Sequence, residues 1–375
     1  MKESEDGTRV SAAALPARAE NTRNTVLSEL VQELRQRAEA PALSRRRPQV
    51  GFAGAEWSRH SRLRDLVAGG LVDVRCIADS DHSVAEEAVS QVQKYAPDIR
   101  AMRDVDHLLN EPLDGVVITM PLPTRGVVAR EALARRMAVF SQYPIAGNAA
   151  DTEAIVASAH QQDLLLTVDF YYRHVPGVAE MTALLRDGAI GDVYAIELRS
   201  HTSYGPDSPG DDHAGCLREL GSHLLDLVLH VLDTSIVADV SGRRYASGRQ
   251  LASGQSHIAE DYAVADFTIG DGIPVHLACS WRASLGQDAT IEASFVGTRG
   301  SMRLSNVDGA LGAFRVEHCE GVHCRTLGGT SDAWGGRMAT AWARELAAGA
   351  GFNAEAARIA VIARIIDRIV GRSLS

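Results

Sequence analysis

The sequence predicts an α/β protein in which a doubly wound parallel sheet of the Rossmann type is followed by an α+β domain with an open-faced, mostly antiparallel sheet. Two patterns along the chain predict this order. Residues 49–168 alternate short apolar runs with segments of helical spacing, as strands and helices do in a doubly wound parallel sheet. After Asp169 the chain carries longer runs in which apolar and polar residues alternate, as in a sheet with one covered face.

The elements of the first domain, predicted over residues 48–168, follow from local apolar runs. Short runs rich in Val, Ile and Ala suit strands that are buried on both faces. The predicted strands cover residues 50–53, 72–78, 115–120, 138–141 and 164–168, and the predicted helices cover residues 59–69, 83–94 and 126–136.

The second domain, predicted over residues 169–375, combines alternating strands with helices that would cover one face of the sheet. Its predicted strands cover residues 192–200, 261–269, 275–281 and 290–296. Predicted helices at 177–187 and 217–232 would supply that cover, and predicted helices at 339–348 and 354–370 finish the chain. Residues 1–47 form a polar extension in which apolar residues between positions 25 and 40 recur at helical spacing. That segment is either an amphipathic helix packed on the body or a partner subunit, or a loosely attached tail.

Composition and charge limit the possible functions. The chain has 375 residues, of which 45% are hydrophobic and 23% charged, and its formal net charge is −10. These values suit a soluble globular protein of about two domains, and the acidic balance argues against a nucleic-acid partner. We find no apolar run long enough to span a membrane, and no apolar segment follows Arg45, Arg46 and Arg47 as an export signal would require. We therefore expect a cytoplasmic protein without a membrane partner.

Five cysteines are spread through the chain, and an odd number at wide spacing argues against a disulfide framework. We expect reduced thiols. The pairs His318-Cys319 and His323-Cys324 could supply four zinc ligands, but their spacing matches no familiar zinc motif. Because Glu320-Gly321 between them suits a tight turn, the sequence favours a plain hairpin here and no metal site.

The turn after the first strand is the candidate phosphate-binding loop of a dinucleotide site. Gly54, Ala55, Trp57 and Ser58 lie where backbone N–H groups and a helix N-terminus would hold a pyrophosphate. Only the first glycine of the G-x-G-x-x-G fingerprint is present, because Glu56 and Arg59 occupy the other two positions. A carboxylate repels phosphate, so the loop taken alone argues against a bound dinucleotide.

Two further positions favour a dinucleotide. Asp79 follows the second strand, near the spacing at which an acidic residue binds the adenosine ribose, although it could equally cap a turn or helix. Its charge would repel a 2′-phosphate, so NAD(H) is favoured over NADP(H). Met120 and the prolines after it follow the third predicted strand, at the edge where open α/β sheets bind ligands, although prolines also simply end strands.

Several ordered motifs then carry a specific resemblance. These motifs are TVDFYYRHVP at 167–176, DGAIG at 187–191, ELGSHLLD at 219–226, EDY at 260–262 and GTRGS at 297–301. With them, the chain from about residue 49 to the C-terminus resembles the Gfo/Idh/MocA oxidoreductases, a family with a Rossmann domain and an open-faced sheet domain.

The resemblance implies candidate catalytic residues. In such enzymes a lysine in a Glu-Lys-Pro triplet, with an aspartate and a histidine on a later helix, handles the substrate proton, while nicotinamide carries the hydride. Here Tyr143 stands at the lysine position and Glu219 at the aspartate position, whereas His223 is retained. Glu219 and His223 are four residues apart, which puts them on one helix face. The triplet is also similar to the Glu-Tyr-Pro of biliverdin reductases, whose Arg-x-Arg-Asp-Leu element has a likeness at 62–66.

Each of these residues has a second interpretation. Tyr143 can donate a proton or simply be a half-buried aromatic at a strand end. His223 can take part in the chemistry of the pocket or be an ordinary hydrogen-bonded helix residue. Glu219 can orient His223, act as a base or face solvent.

Four more residues complete the implied site. Gln142 precedes Tyr143 and is assigned to the cofactor, as is Arg125, which replaces a histidine usual in the family. Arg125 together with Arg173 could bind an anionic substrate or a cofactor phosphate, or both could be surface arginines. Arg173 and Tyr172, in the matching TVDFYYRHVP segment, are the candidate substrate residues.

The sequence thus favours an NAD(P)-dependent oxidoreductase, working as a reductase of a small sugar-like ketone, imine or conjugated double bond, with Tyr143 or His223 as proton donor. Two alternatives stay open. One is a family member that has lost nicotinamide binding and binds a metabolite, peptide or partner enzyme; the other is a redox-neutral lyase or isomerase with His223 as base. The resemblance also implies a homodimer or homotetramer formed through the open sheet face.

Overall fold

The computed structural model describes residues 46–55, 61–205, 214–330 and 336–371. Contacts divide the chain into two units, Met1–Arg46 and Arg47–Ser375, and the account below concerns the second. The helix predicted over residues 25–40 lies outside the described residues.

The first sheet has six parallel strands in the order β3-β2-β1-β4-β5-β6. The central strands β1, β4 and β5 are buried along their whole length, which explains why they appear as continuous apolar runs. They are β1 (Gln49–Ala53), β2 (Asp73–Ala78), β3 (Arg100–Met102), β4 (Gly115–Ile118), β5 (Ala138–Ser141) and β6 (Leu166–Val168). This Rossmann-type strand order confirms the predicted fold class of this region. The carboxyl ends of β1 and β4 lie next to each other at one edge of the sheet.

Helices connect these strands and begin at side-chain caps in several places. The Asp81 carboxylate accepts from the Ser83 N–H, and the Asn148 side chain accepts from the Asp151 N–H, so both satisfy helix N-termini. The helices are α1 (Ser61–Ala68), α2 (His82–Val92), α3 (Val105–Leu109), α4 (Leu122–Ala134) and α5 (Ala149–Gln161).

The second sheet has nine strands in the order β15-β14-β13-β12-β7-β11-β10-β8-β9. Its pairs are antiparallel except for β11 with β7. Burial alternates residue by residue along β12, as expected when one face is covered. The strands are β7 (Val193–Thr202), β8 (Val237–Ala246), β9 (Arg249–Gln250), β10 (Tyr262–Ile269), β11 (Ile273–Ser280), β12 (Ala289–Gly297), β13 (Ser301–Asn306), β14 (Phe314–Glu320) and β15 (His323–Thr330). This confirms the predicted second architecture.

The remaining helices pack on both sheets. They are a 3₁₀ turn at Tyr171–His174, α6 (Val178–Arg186), a π-helical turn at Leu217–Gly221, α7 (Ser222–Val231), α8 (Arg337–Ala347), a 3₁₀ turn at Ala354–Ala356 and α9 (Ala357–Val370). We assigned α8 to the second domain, yet its Trp342 is buried against Phe140 of β5, with ring centroids 5.7 Å apart. The chain therefore returns to the first sheet before α9.

The hairpin expected around residue 320 is present, but its cysteines are not reduced. Cys319 and Cys324 lie opposite each other in β14 and β15 with Cα atoms 4.0 Å apart, and they form a disulfide. The expectation of free thiols is wrong for this pair, because the strand register brings together two residues that sequence spacing alone does not mark as partners. Cys76, Cys216 and Cys279 are free and buried.

No helix within the described residues is long and apolar enough to cross a membrane.

Candidate active site

A cavity of about 560 Å³ opens at the carboxyl edge of the first sheet, where the loops after β4 and β5 meet the π-helical turn and α7. Its volume falls in the range of small-molecule sites. It is lined by Arg62, Pro121, Leu122, Arg125, Gln142, Tyr143, Pro144, Asp169, Tyr171, Glu219 and His223. Tyr143, Glu219 and His223, which lie up to 80 residues apart in the chain, are thus brought together as the sequence predicted.

Tyr143 enters this cavity directly after β5 and is followed by a cis peptide bond to Pro144. The side chain is half-buried, and its ring packs on Phe170 with centroids 5.0 Å apart. Burial raises the pKa of the Tyr143 phenol well above its ordinary value, and Arg218 only partly opposes this. The phenol therefore keeps its proton at neutral pH.

Glu219 and His223 reach the cavity from the π-helical turn and the first residues of α7. The Ser222 N–H donates to the Leu217 carbonyl, five residues back, so the turn is one residue wider than an α-helix. Such π segments inside helices occur frequently at functional sites. Glu219 is half-buried, and its Oε1 accepts from the Ala214 N–H at 3.4 Å.

His223 lies in an aromatic pocket. Its ring centroid is 4.6 Å from that of Tyr171 and 5.7 Å, edge-on, from that of Phe170. The buried Nδ1 atom has no hydrogen-bond partner among the described residues. Burial, assisted by the positive charge of Arg62, lowers the pKa of His223 to about 3. The imidazole is therefore neutral near pH 7, with one nitrogen able to donate and one able to accept.

Arg62 and Asp169 form a charged pair in the same cavity that we did not predict. Arg62 Nη1 lies 3.0 Å from Asp169 Oδ2, and both side chains are largely buried. Burial raises the pKa of Asp169, and the Arg62 charge opposes that shift. The available signal was that Asp169 directly follows β6 and belongs to the matching TVDFYYRHVP segment.

The two residues assigned to substrate lie elsewhere, which corrects the prediction. Tyr172 is fully buried, with its ring edge-on to Phe314, and its neighbour Tyr171 lines the cavity instead. The Arg173 guanidinium is bound by the carboxylates of Asp226 and Glu355, and it lines a smaller, separate cavity. Successive residues of the 3₁₀ turn point in different directions, so only one of the three reaches the cleft.

Arg125 lines the cavity, but its guanidinium is hydrogen-bonded to other groups of the protein. Its Nε donates to the Met120 carbonyl at 3.0 Å, its Nη1 to the Pro144 carbonyl at 2.6 Å and its Nη2 to Gln142 Oε1 at 3.2 Å. Arg125 thus ties the loop after β4 to the loop after β5. An anion site formed by Arg125 with Arg173 is not present, because these residues line different cavities. The alternative of two surface arginines is wrong as well, because both are largely buried.

The candidate dinucleotide loop has a glycine that the backbone requires. Gly54 has a φ of +96°, and a Cβ there would lie 2.8 Å from the Thr119 carbonyl carbon. The next N–H, of Ala55, donates to Asp79 Oδ2 at 2.9 Å, so β1 and β2 end side by side. The α2 cap is Asp81, so Asp79 does not cap that helix. The alternative of a turn aspartate is present, because Asp79 Oδ1 accepts from the Asp81 N–H at 3.0 Å. Glu56, Trp57, Ser58 and Arg59 lie outside the described residues.

This arrangement fits the adenosine half of a dinucleotide. A tight glycine turn after β1 permits close approach of a phosphate, and a carboxylate after β2 accepts ribose hydroxyls. Asp79 also accepts from the Asp81 N–H at 3.0 Å, and a carboxylate offers about four acceptor positions, so the ribose can be accommodated. Met120 lies two residues after the end of β4, on the same edge.

Sequence comparison decides the family. Residues 49–170 match the model described as oxidoreductase family, NAD-binding Rossmann fold, and residues 178–303 match the GFO/IDH/MocA C-terminal domain. These matches together cover more than half of the chain. The protein belongs to the Gfo/Idh/MocA family. Its first domain is therefore the family's NAD-binding Rossmann domain.

Relatives of this family member are distant. It is 32% identical over 199 residues to an inositol 2-dehydrogenase of Acidothermus cellulolyticus, which covers 52% of this chain and 56% of that one. The chain spans just over half the length of the first curated relatives it matches.

Solved structures that share the fold include two with a bound dinucleotide. The 3-ketoreductase KijD10 from Actinomadura kijaniata, in complex with NADP and TDP-benzene, superposes with a TM-score of 0.71 at 17% identity, covering 86% of this chain and 96% of that one. GenD2 from gentamicin A biosynthesis, in complex with NAD, superposes with a TM-score of 0.69 at 17% identity, covering 87% and 93%.

Proposed function

We propose that this family member is an NAD(P)-dependent oxidoreductase that reduces a ketone on a sugar-like or polyol-like molecule, with Tyr143 as the proton donor. The observation that carries the proposal is one cavity holding a protonated phenol, a neutral imidazole and a buried guanidinium. An inositol 2-dehydrogenase and a 3-ketoreductase among its similar proteins support a hydroxylated ring as the substrate class.

Tyr143 suits proton donation in the direction of reduction. A ketone that accepts a hydride becomes an alkoxide, which is a much stronger base than a phenolate. Transfer of the phenol proton is therefore downhill even though burial raises the pKa of Tyr143. A lysine at this position would add a positive charge, whereas tyrosine adds none, so the residue contributes a proton and a hydrogen bond only.

His223 and Glu219 suit substrate positioning. A neutral imidazole can hydrogen-bond a hydroxyl group without changing charge, and the unpartnered buried Nδ1 would gain from such a bond. Glu219, on the adjacent turn, provides a carboxylate that can accept from a second hydroxyl. The pair therefore favours a substrate with neighbouring hydroxyl groups.

Asp79 and the close approach that the Gly54 turn permits would hold the dinucleotide along the edge of the first sheet. The N–H groups of Gly54 and Ala55 do not contribute, because they already donate to the Ala78 carbonyl and to Asp79 Oδ2. The bound nicotinamide supplies the hydride. The position of Asp79 at the end of β2 favours NAD(H), because a carboxylate repels a 2′-phosphate.

One observation favours a different function. Glu56 and Arg59 replace two glycines of the phosphate loop, as expected for a family member that no longer binds a dinucleotide. Such a protein would use the cavity to bind a metabolite without redox chemistry.

Cofactor titration separates the two functions. We expect saturable quenching of protein fluorescence by NADH below millimolar concentration, with NADPH weaker. Absence of saturable binding by either at millimolar concentration would refute the oxidoreductase proposal and leave the binding function.

A proton-donor test follows with polyols, myo-inositol included, assayed for NAD⁺- and NADP⁺-dependent oxidation. Tyr143→Phe is expected to lower kcat by about 10²–10⁴-fold because it removes one positioned proton-transfer group. NADH affinity should change less than threefold. Tyr95→Phe, at a 43% exposed position, is the control. If Tyr143→Phe keeps full turnover and His223→Gln loses it, the proton donor is His223.

A further inference from the structure

Arg62 is the second residue of α1, and its side chain points into the cavity rather than to solvent. Only 14% of that side chain is exposed, whereas Arg64 on the same helix is 58% exposed. The helix thus presents one arginine to the cleft and one to water. Placing a cation in a largely buried position is costly unless a partner compensates it.

Asp169 is that partner, and it also fixes the direction of the guanidinium. The Arg62 Nη1 to Asp169 Oδ2 distance is 3.0 Å. The Asp169 N–H in turn donates to the Ser141 carbonyl, at the end of β5, at 2.9 Å. Ser141 lies two residues before Tyr143, so Arg62 is tethered to the same strand end that carries the phenol.

The charge of Arg62 acts across the cavity. It contributes to the lowered pKa of His223, and it opposes the burial-driven rise in the pKa of Asp169 and of Tyr171. These three side chains line the same cavity. Arg125, the other arginine that lines it among the described residues, gives three N–H groups to chain acceptors.

We propose that Arg62, oriented by Asp169, stabilises the negative charge that develops on the substrate oxygen during reduction. This inference rests on the proposed reductase function. It assigns to Arg62 the positive charge near the substrate oxygen that a neutral Tyr143 does not supply. A preorganised cation aimed at a developing oxyanion acts more strongly from a largely buried position than from water.

The step balances without a further reactant. The carbonyl carbon accepts a hydride, the electron pair of the C=O π bond moves to oxygen, and the Tyr143 proton passes to that oxygen. The resulting phenolate takes a proton from solvent. Arg62 stays charged throughout, because its guanidinium does not deprotonate in proteins.

Turnover tests this role. Arg62→Gln is expected to lower kcat by about 10²–10³-fold, the usual effect of removing one oxyanion donor. Arg62→Lys should lose less, and added guanidinium should restore part of the activity of Arg62→Ala. Arg64→Gln, on the same helix, is the control and should leave kcat unchanged. Arg62→Gln leaves the Asp169 carboxylate without its guanidinium. If that variant is unstable, the kcat of the double variant Arg62→Gln/Asp169→Asn is compared with that of the wild type instead.

A second readout needs neither substrate nor cofactor. NMR titration of His223 should show a higher pKa in Arg62→Gln than in the wild type, and no change in Arg64→Gln. An unchanged His223 pKa, or a kcat of Arg62→Gln within threefold of the wild type, overturns the inference. If the wild type turns over none of the polyols tested and binds neither nucleotide, the proposed function fails. The titration would then still show whether the positive charge of Arg62 acts on His223 across the cavity.

Discussion

Replacing Arg173 with Met tests whether this residue supports the fold rather than the substrate. Arg173 connects three separate segments: Nε donates to Asp226 Oδ2 at 2.6 Å, Nη2 donates to Asp226 Oδ1, and Nη1 donates to Glu355 Oε2 at 2.6 Å. Asp226 lies on α7 and its side chain is completely buried, while that of Arg173 is 8% exposed. The variant would therefore leave a buried carboxylate without its guanidinium.

Removing one partner of a buried ion pair costs about 3–5 kcal/mol of unfolding free energy. The loss should depend on pH. Burial raises the pKa of Asp226 and Arg173 opposes this, so the pKa rises further in the variant. A carboxyl group with a raised folded-state pKa destabilises the protein as pH rises from the unfolded value through the folded one. The deficit of Arg173→Met should thus be larger at about pH 8 than at about pH 5.

Urea unfolding at both pH values measures this deficit, and NADH titration shows whether the first domain remains intact. Arg364→Met is the matched control, because Arg364 pairs with Glu153 at 2.8 Å on the surface and should cost only about 0–1 kcal/mol. The double variant Arg173→Met/Asp226→Leu should recover most of the loss. Unchanged stability of Arg173→Met together with a raised substrate KM would refute the structural role.

Two further variants test the cofactor loop and the buried histidine. Gly54→Ala should lower the unfolding free energy by about 1–3 kcal/mol and weaken NADH binding, because φ is +96° and the Thr119 backbone leaves no room for a Cβ. Gly147→Ala is the control, because a Cβ there meets nothing within 4 Å. It should change neither the stability measured by calorimetry nor the affinity measured by NADH titration. His223→Phe should lose less stability than the wild type on acidification, since the folded His223 resists protonation down to about pH 3. For each pH unit below the pKa of the unfolded histidine, the wild type should lose up to about 1.4 kcal/mol of unfolding free energy, measured with urea. If the wild type and His223→Phe lose stability equally with falling pH, the lowered pKa is contradicted.

Much of the fold could be predicted because its strongest elements have a clear period. The strand predicted over residues 261–269 is Tyr262–Ile269, and the strand predicted over 290–296 is Ala289–Gly297. Two of the elements that were missed are the edge strand Arg100–Met102 and the regular helix Ala149–Gln161. A three-residue strand has too few positions to show a period.

The candidate site was predicted only in part. Tyr143, Glu219 and His223 were placed through ordered motifs, and the structure brings all three to one cavity. Arg62 and Asp169 were not combined, because 107 positions separate them. The motifs that contain them, RLRDL at 62–66 and TVDFYYRHVP at 167–176, do not indicate that the two side chains meet. Within the 3₁₀ turn the sequence did not show which aromatic faces the cleft, since direction there depends on the packing of Phe314 against Tyr172.

The sequence by itself determined the order of a parallel sheet and an open-faced sheet, because hydrophobic period is a local property that neighbouring residues express together. It also determined the chemical identity of the residue after Gln142, a phenol in place of an amine. Only the tertiary structure decided which charges and thiols meet: Arg62 with Asp169, Arg173 with Asp226, and Cys319 with Cys324. These pairings depend on distance and burial between segments that the fold, not the chain order, brings together.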